Sequence, residues 1–267
     1  MFEEEGITVR YEPQVALASG ALVGAEAIAF GRGAGVLETR LSNSAVSRRG
    51  GTPVSLGEWT LRRACLEAAR WQREGAGAFR ITVKVAAHEL QFDAYTDTVR
   101  TILRESGLEP QCLELELQEG AALSQVDAIT PTLRRLRTLG VQLALGGFGR
   151  TRSPLGLLQR LGCDRIKIHP SFLTSSGSVN RLPVARAMIE LARNLRMGTL
   201  AEGVESKRCA TLLAEYGCGE GQGTYFGGAL ASSAFAAGLW VAATKAGRWM
   251  VPTPWIPGKA PPRSLRA

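Results

Sequence analysis

Polar side chains occur near the carboxyl ends of several apolar segments, where a buried sheet would normally carry only hydrophobic residues. A charged group inside an apolar strand is costly unless it is paired or bound to a ligand. Glu26 and Lys167 face the interior if their apolar neighbours alternate outward. A core salt bridge would explain any single charge, but convergence of several on one face predicts an active site or its remnant. The full set is Glu26, Lys84, Glu116, Glu119, Lys167, His169, Glu202 and Gln222.

The segments that must position these residues alternate between short β-branched runs and amphipathic stretches of helical period. About eight strands in alternation with helices predict a (β/α)8 barrel, in which the loops after the strands form one concave face. A doubly wound sheet is the alternative, but no Gly-x-Gly-x-x-Gly motif follows a strand. The expected strands are 8–11, 22–30, 79–86, 113–119, 142–148, 165–169, 199–202 and 223–226. The expected helices are 57–73, 94–105, 130–139, 155–161, 183–195, 206–216 and 233–243.

The composition is that of a globular protein of 267 residues, with 45% hydrophobic and 21% charged residues. No run reaches the roughly 18 to 20 apolar residues of a membrane span, and the acidic start is unlike a secretory signal. The cysteines are scattered without Cys-x-x-Cys spacing, which predicts buried thiols rather than disulfides or a zinc site. We therefore expect a cytoplasmic protein without a membrane partner. The cysteines are Cys65, Cys112, Cys163, Cys209 and Cys218.

The net charge of +8 is concentrated at the end of the chain. No basic stripe interleaved with aromatic residues occurs elsewhere, which argues against a nucleic-acid partner. We expect residues 1–246 to form the barrel domain and residues 247–267, rich in proline, to form a basic C-terminal tail. The positive charges at this end are Lys245, Arg248, Lys259, Arg263 and Arg266.

Seven short motifs follow one another in the order and spacing of a known family. Together, over about residues 7 to 240, they make the chain resemble the EAL domain family of cyclic di-GMP phosphodiesterases. The motifs are Tyr-Glu-Pro-Gln-Val at 11–15, Val-Gly-Ala-Glu-Ala-Ile at 23–28, Leu-Gly-Glu-Trp at 56–59, Leu-Glu-Leu-Glu-Leu-Gln-Glu at 113–119, Ile-Lys-Ile at 166–168, Ala-Glu-Gly-Val-Glu-Ser at 201–206 and Gly-Gln-Gly at 221–223.

The resemblance implies a modified barrel with an antiparallel first strand, and hydrolysis of cyclic di-GMP to linear pGpG by two Mg²⁺ or Mn²⁺ ions. It also implies a bacterial signalling context. By resemblance, Glu26 and Glu116 hold metal-ligand positions. Lys167 lies beside the attacking water and phosphate, and Glu202 takes the proposed general-base position.

The resemblance alone also implies roles for three further residues. Glu119 and Glu205 correspond to residues that brace a loop important for metal binding and dimerisation. Gln222 corresponds to a residue close to the ligand.

The chain departs from the family pattern at several places, four of which are positions that bind metal or phosphate in the family. Lys84 stands where the family has a metal-binding asparagine. Gly146 and Gly147 replace the two metal-binding aspartates of Asp-Asp-Phe-Gly. Phe30 replaces an arginine that contacts phosphate in the family.

These departures argue against a two-metal site, because three oxygen ligands are missing and a protonated lysine cannot bind Mg²⁺. We expect no cofactor. Our hypothesis is that Lys84, with Lys167, replaces the metals electrostatically and leaves an ion-pair cluster. The alternative is that Lys84 points elsewhere.

The resulting interpretation is a stand-alone, degenerate EAL-domain protein that does not hydrolyse cyclic di-GMP and acts by binding. Two versions stay open: a sensor that binds the nucleotide without metal, and a regulator that binds a protein partner. Loss of the arginine at Phe30 favours the second version. Glu202 and Gln222, together with Arg150 and Arg152 near the same mouth, keep the first version open. The two arginines could clamp phosphates, or they could be solvated loop charges. The enzymatic alternative is a weakly active phosphodiesterase that uses Mg²⁺ or Mn²⁺. A dimer is compatible with the family but is not specified by these residues.

Overall fold

The protein is described here by a computed structural model, which covers residues 6–31, 35–36, 46–49, 52–77, 79–150, 156–173, 182–244 and 249. Its strands are β1 (Ile7–Ala16), β2 (Leu22–Gly31), β3 (Gly35–Val36), β4 (Val46–Arg49), β5 (Thr52–Ser55), β6 (Arg80–Val85), β7 (Leu113–Gln118), β8 (Gln142–Phe148), β9 (Arg165–Ile168), β10 (Gly198–Ala201), β11 (Glu220–Gly221) and β12 (Leu230–Ala231). Its α-helices are α1 (Leu56–Trp71), α2 (Ala94–Ser106), α3 (Glu119–Thr138), α4 (Gly156–Leu161), α5 (Leu182–Asn194), α6 (Lys207–Glu215) and α7 (Ser232–Thr244).

Eight of the strands close into a barrel, as the sequence predicts. Neighbouring strands follow the order β1, β11, β10, β9, β8, β7, β6 and β2, and pairing between β1 and β2 closes the circle. Strands β2 and β6 to β11 run parallel to one another, whereas β1 is antiparallel to both of its neighbours. The predicted antiparallel first strand is therefore confirmed. Within the described part of the chain, no helix has both the length and the apolar character needed to cross a membrane.

The outward faces of the strands pack against the helices. Tyr11 on β1 meets Trp71 of α1 edge to face, with ring centroids 4.8 Å apart, and Phe235 of α7 packs against the same Trp71 ring. Helix α1 begins where Ser55 accepts a hydrogen bond from the Glu58 amide, at 3.0 Å. Because Tyr11 points outward, its neighbours on β1 point into the barrel.

The barrel interior carries a layer of ion pairs at the amino ends of the parallel strands. The Arg80 and Arg165 guanidinium groups both contact the Glu220 carboxylate and lie 3.4 and 3.0 Å from Glu114. Gln14 connects this layer to the opposite end, since its amide donates to Gln222 at 3.1 Å and its oxygen accepts from Arg80 at 2.9 Å. We call this ion-pair layer, together with Gln14 and Gln222, the polar column. It fills the centre of the barrel, whereas the core between the strands and the helices is apolar.

Two element predictions are corrected by the structure. Residues 223–226 were expected to form a strand, but a single 3₁₀ turn occupies Thr224–Phe226, and the strand lies earlier, at Glu220–Gly221. Gly223 and Gly227 have φ angles of 148° and 114°, which break the strand there. Helix α3 begins at Glu119 instead of residue 130, because it continues through a kink at Gln125 before Pro131.

The expected C-terminal tail lies outside the described residues, apart from Trp249. The Trp249 indole donates to the Phe226 carbonyl at 2.8 Å, its backbone amide donates to Gly20 at 2.8 Å, and its ring packs against Phe235. Trp249, in the segment expected to form the tail, therefore packs against the barrel domain.

Candidate functional site

Seven polar side chains, five from strands and two from the residues that directly follow β10 and β11, meet inside the carboxyl end of the barrel. We call them the barrel-mouth cluster: Glu12, Glu26, Lys84, Glu116, Lys167, Glu202 and Gln222. Six of the seven were predicted from the sequence. Glu12 was missed because β1 was expected to end at Tyr11. The alternation of inward and outward side chains along a longer β1 would have placed it opposite Glu26, where the register puts it.

Lys167 lies at the centre of this cluster and is fully buried. Its Nζ is 2.8 Å from Glu26 Oε2 and also forms an ion pair with Glu116. Burial would raise the pKa of Glu26, but Lys167 and Lys84 outweigh it and hold this pKa well below its ordinary value. Glu26 is therefore a carboxylate with two ammonium partners.

Lys84 contacts the same carboxylates from the mouth side. Its Nζ is 2.7 Å from Glu26 Oε1 and 4.0 Å from Glu116 Oε1, and 36% of the side chain is exposed. Burial acts to lower the pKa of Lys84, but Glu26 and Glu116 outweigh it and raise this pKa well above its ordinary value. Lys84 points into the cluster and stays protonated at neutral pH.

Glu116 has a third donor that sequence reasoning missed. The Gln118 amide donates to Glu116 Oε1 at 2.6 Å. It can do so because β8 carries glycine opposite: a Cβ on Gly146 would lie 2.2 Å from Glu116 Oε1 and 2.7 Å from Gln118 Nε2. Gly147 has a φ of 66°, which side-chain-bearing residues rarely adopt. The two glycines leave the space that Glu116 and Gln118 occupy.

Gln222 joins the cluster to the polar column below it. Its amide nitrogen donates to Glu12 Oε2 at 3.0 Å and to Glu26 Oε2 at 2.8 Å, while its oxygen accepts from Gln14. Both ends of the Gln222 amide are thus engaged inside the barrel, so this side chain fixes the positions of two carboxylates.

Two carboxyl groups of the cluster titrate far above the ordinary range. Burial, followed by repulsion from Glu116, raises the pKa of Glu202 to about 8. Burial, followed by repulsion from Glu26, raises the pKa of Glu12 to about 7. Glu26, Glu116 and Glu202 each place one oxygen within 4.8 Å of the other two. This spacing alone would suit a cation, and the two lysines supply positive charge there instead.

The remaining predicted residues lie around the mouth rather than in the cluster. His169 turns toward its own loop, since its Nδ1 accepts from the Ser171 amide at 3.1 Å, and burial together with Arg150 lowers its pKa. Glu119 is buried, and its Oε1 accepts from the Gly149 amide at 3.2 Å. Glu205 and Arg150 are exposed. Arg152 lies outside the described residues.

Phe30 lies on the same inward face of β2 as Glu26, four residues closer to the mouth. A guanidinium group covers it: the Arg10 Cζ atom is 4.1 Å from the centroid of the Phe30 ring. Arg10 was not among the residues singled out from the sequence. The arginine-to-phenylalanine difference at position 30 was the available signal, since an aromatic ring at a polar mouth favours a stacked cation.

Comparison with known proteins places these observations in a family. Residues 1–229 match the EAL domain family. The chain belongs to this family. It is 36% identical to the cyclic di-GMP phosphodiesterase NbdA of Pseudomonas aeruginosa over 172 residues, which is 64% of this chain and 22% of NbdA. It is 29% identical to the bifunctional diguanylate cyclase/cyclic di-GMP phosphodiesterase MucR of the same organism, over 84% of this chain and 33% of MucR. The chain therefore spans only part of these relatives.

Solved structures agree on the fold. The PaMucR phosphodiesterase in complex with cyclic di-GMP superimposes with a TM-score of 0.76 at 27% identity, covering 87% of this chain and 95% of that one. The EAL domain of Mycobacterium smegmatis DcpA gives a TM-score of 0.74 at 30% identity, covering 91% and 97%. This EAL domain thus has the family barrel, and its own site residues determine what chemistry it retains.

Proposed function

We propose that this EAL domain does not hydrolyse cyclic di-GMP and acts in cyclic di-GMP signalling as a metal-independent sensor of the nucleotide. One observation carries the proposal: the Lys84 ammonium lies 2.7 Å from Glu26 and 4.0 Å from Glu116, within the carboxylate cluster. A metal ion bound by these carboxylates would have to displace it.

The residues present do not fit the two metal ions of the family reaction. Mg²⁺ and Mn²⁺ require several oxygen ligands, and Lys84, Gly146 and Gly147 offer none from their side chains. The carboxylate oxygens of Glu26 and Glu116 already accept hydrogen bonds or ion pairs from Lys84, Lys167, Gln118 and Gln222. An added divalent cation would be repelled by both ammonium groups.

The charge balance at the mouth is compatible with an anionic ligand. Lys84 and Lys167 neutralise Glu26 and Glu116. Because the pKa of Glu202 is about 8 and that of Glu12 about 7, much of the remaining acid is protonated at neutral pH. A phosphodiester approaching the mouth therefore meets little net negative charge. The related PaMucR domain, at 27% identity, has been solved in complex with cyclic di-GMP, which supports the choice of ligand.

Calorimetric titration of the purified protein with cyclic di-GMP, in Mg²⁺ and again in EDTA, tests this proposal. We expect the same dissociation constant in both buffers and no pGpG by chromatography after overnight incubation. Mg²⁺-dependent binding or accumulation of pGpG would overturn the proposal in favour of a weakly active phosphodiesterase. A folded protein that releases no heat in either buffer would overturn the sensor and leave the protein-binding regulator as the alternative to test.

A further inference from the structure

Arg10 is an arginine on the inward face of β1, at the open end of the barrel. It lies two residues from Glu12 on the same side of the strand, and its register partner on β2 is Ile28. Its guanidinium group stacks over the Phe30 ring, with Cζ 4.1 Å from the ring centroid. The side chain is half-buried, so the contact with Phe30 orients the guanidinium group while part of the side chain stays exposed.

Arg10 differs from the other arginines of the barrel interior in its partners. Arg80 and Arg165 each form ion pairs with Glu114 and Glu220. Over the described ranges, no carboxylate forms an ion pair with Arg10. A guanidinium held face-on by an aromatic ring keeps its N–H donors in its own plane, where they can grip two oxygens of one anion.

Arg10 and Lys84 occupy one level of the barrel on either side of β2. The register pairs Arg10 with Ile28, and the parallel register of Ala27 with Val83 brings Lys84 to the level of Ile28. With β1, β2 and β6 adjacent, the two cationic residues start roughly 10 Å apart, two strand spacings. Both residues face inward and both are partly exposed, which suits a ligand that offers more than one phosphate oxygen.

We propose that Arg10, oriented by Phe30, binds a phosphate group of the ligand at the barrel mouth. The identity of the ligand as cyclic di-GMP rests on the function proposed above, whereas the phosphate site itself does not. The bond is a charge-assisted hydrogen bond from the guanidinium to phosphodiester oxygens, of the bidentate kind that lysine cannot form. The positive charge missing from position 30 is thus supplied by the neighbouring strand.

The test compares wild type with Arg10→Ala, Arg10→Lys and the exchanged pair Arg10→Phe/Phe30→Arg. Cyclic di-GMP is titrated calorimetrically in EDTA. We expect Arg10→Ala to weaken binding at least tenfold and Arg10→Lys to weaken it less, because charge remains without the planar fork. The exchanged pair should recover most of the affinity, since it returns a guanidinium to the same mouth. Such recovery would not follow if Arg10 only supported the fold.

Arg186→Ala is the matched control, because Arg186 also faces an aromatic ring, that of Tyr216 at 5.6 Å, but on the helical layer. It should leave the affinity unchanged, and melting temperatures will identify any variant that has lost its fold. Wild-type affinity in a folded Arg10→Ala protein would overturn the inference while leaving the sensor intact.

A second probe separates the two proposals. If wild type does not bind cyclic di-GMP, inorganic pyrophosphate is titrated and followed by ³¹P line broadening. Broadening that Arg10→Ala abolishes supports the phosphate site and refutes the sensor. Absence of broadening in wild type refutes both.

Discussion

At the scale of single residues, Lys84 has the clearest measurable role. It neutralises Glu26 and Glu116, so replacing it with asparagine leaves Lys167 as the only lysine of the described cluster facing two buried carboxylates. Breaking a buried pair costs roughly 3–5 kcal/mol, but Lys84 is 36% exposed, and solvent screening reduces the expected loss to about 1–3 kcal/mol. Urea unfolding measures it.

The matching controls for this variant are Lys84→Arg and Lys207→Asn. Lys84→Arg keeps the charge and should retain most of the stability. Lys207 lies on the surface of α6, and its replacement should be neutral. Lys84→Asn should also produce no pGpG, because the aspartate positions remain glycine. An unchanged unfolding midpoint for Lys84→Asn would show that the ion pair is not part of the folded cluster.

Because its pKa is raised, Glu202 makes the free energy of unfolding depend on pH, and the sign of this dependence can be worked out. The folded protein keeps the Glu202 proton up to a pKa of about 8, while the unfolded chain loses it near the ordinary value of 4.5. Between these values the folded state binds more protons, so this group's contribution to stability falls as pH rises. The slope is at most about 1.4 kcal/mol per pH unit.

Denaturant unfolding of wild type and Glu202→Gln at pH 5, 6, 7 and 8 isolates this contribution. The stability of wild type relative to the variant should decrease steadily from pH 5 to 7 and less steeply from pH 7 to 8, as the folded protein begins to lose the same proton. Subtraction of the variant removes the contributions of other titrating groups whose coupling to Glu202 is weak. A difference that stays constant with pH would mean that Glu202 ionises normally in the folded protein, and one that grows with pH would mean that its pKa is lowered; either result would contradict the raised pKa.

At the scale of elements, strands β7 and β8 fit together because position 146 on β8 is a glycine and has no side chain. Gly146 faces Glu116, and a Cβ there would lie 2.2 Å from the Glu116 carboxylate. Gly146→Ala should therefore force Glu116 or β8 to move, at a cost of about 1–3 kcal/mol. Gly156→Ala is the control, since in the described part of the chain no atom beyond its own neighbours lies within 4 Å of its Cβ position, and α4 accepts alanine well.

Calorimetric melting compares these two glycine variants. A lower melting temperature for Gly146→Ala alone is the expected result. Equal melting temperatures would contradict the close fit of Glu116 and Gln118 over β8. Gly146→Asp should destabilise for the same reason, so restoring the family residue at this single position is incompatible with the present arrangement.

Most helices and strands were predictable because the hydrophobic periodicity and the positions of glycines depend on local structure. The parallel strands from β6 to β10 and most helices fall close to their expected ranges. The strand expected at 223–226 failed because Gly223 lies against the Val204 backbone, a tertiary contact that no local pattern reveals. The site residues were predictable as a set from their strand ends. Gln118 and Arg10 were not, since their roles depend on space left by Gly146 and on a ring supplied by Phe30.

At the scale of the whole molecule, the barrel interior is one polar column that joins its two ends. Arg80, Gln14 and Gln222 connect the lower ion pairs to the mouth cluster through successive hydrogen bonds. Gln14 is fully buried and also donates to Thr82 at 3.2 Å. A buried donor or acceptor that loses its partner costs about 1–3 kcal/mol. Every member of the column therefore depends on its neighbours.

Gln14→Leu removes the middle of this column while keeping a similar volume. It leaves the Gln222 oxygen without the Gln14 donor, so the Gln222 amide that holds Glu12 and Glu26 is less firmly oriented. We expect a loss of about 2–4 kcal/mol in urea unfolding, and weaker binding at the mouth although Gln14 itself lies below it. A double-mutant cycle with Lys84→Asn should show non-additive stability losses, because both variants disturb Glu26. Additive losses would mean that the two ends of the barrel are energetically independent, and the mouth would then be built by its own strand ends alone.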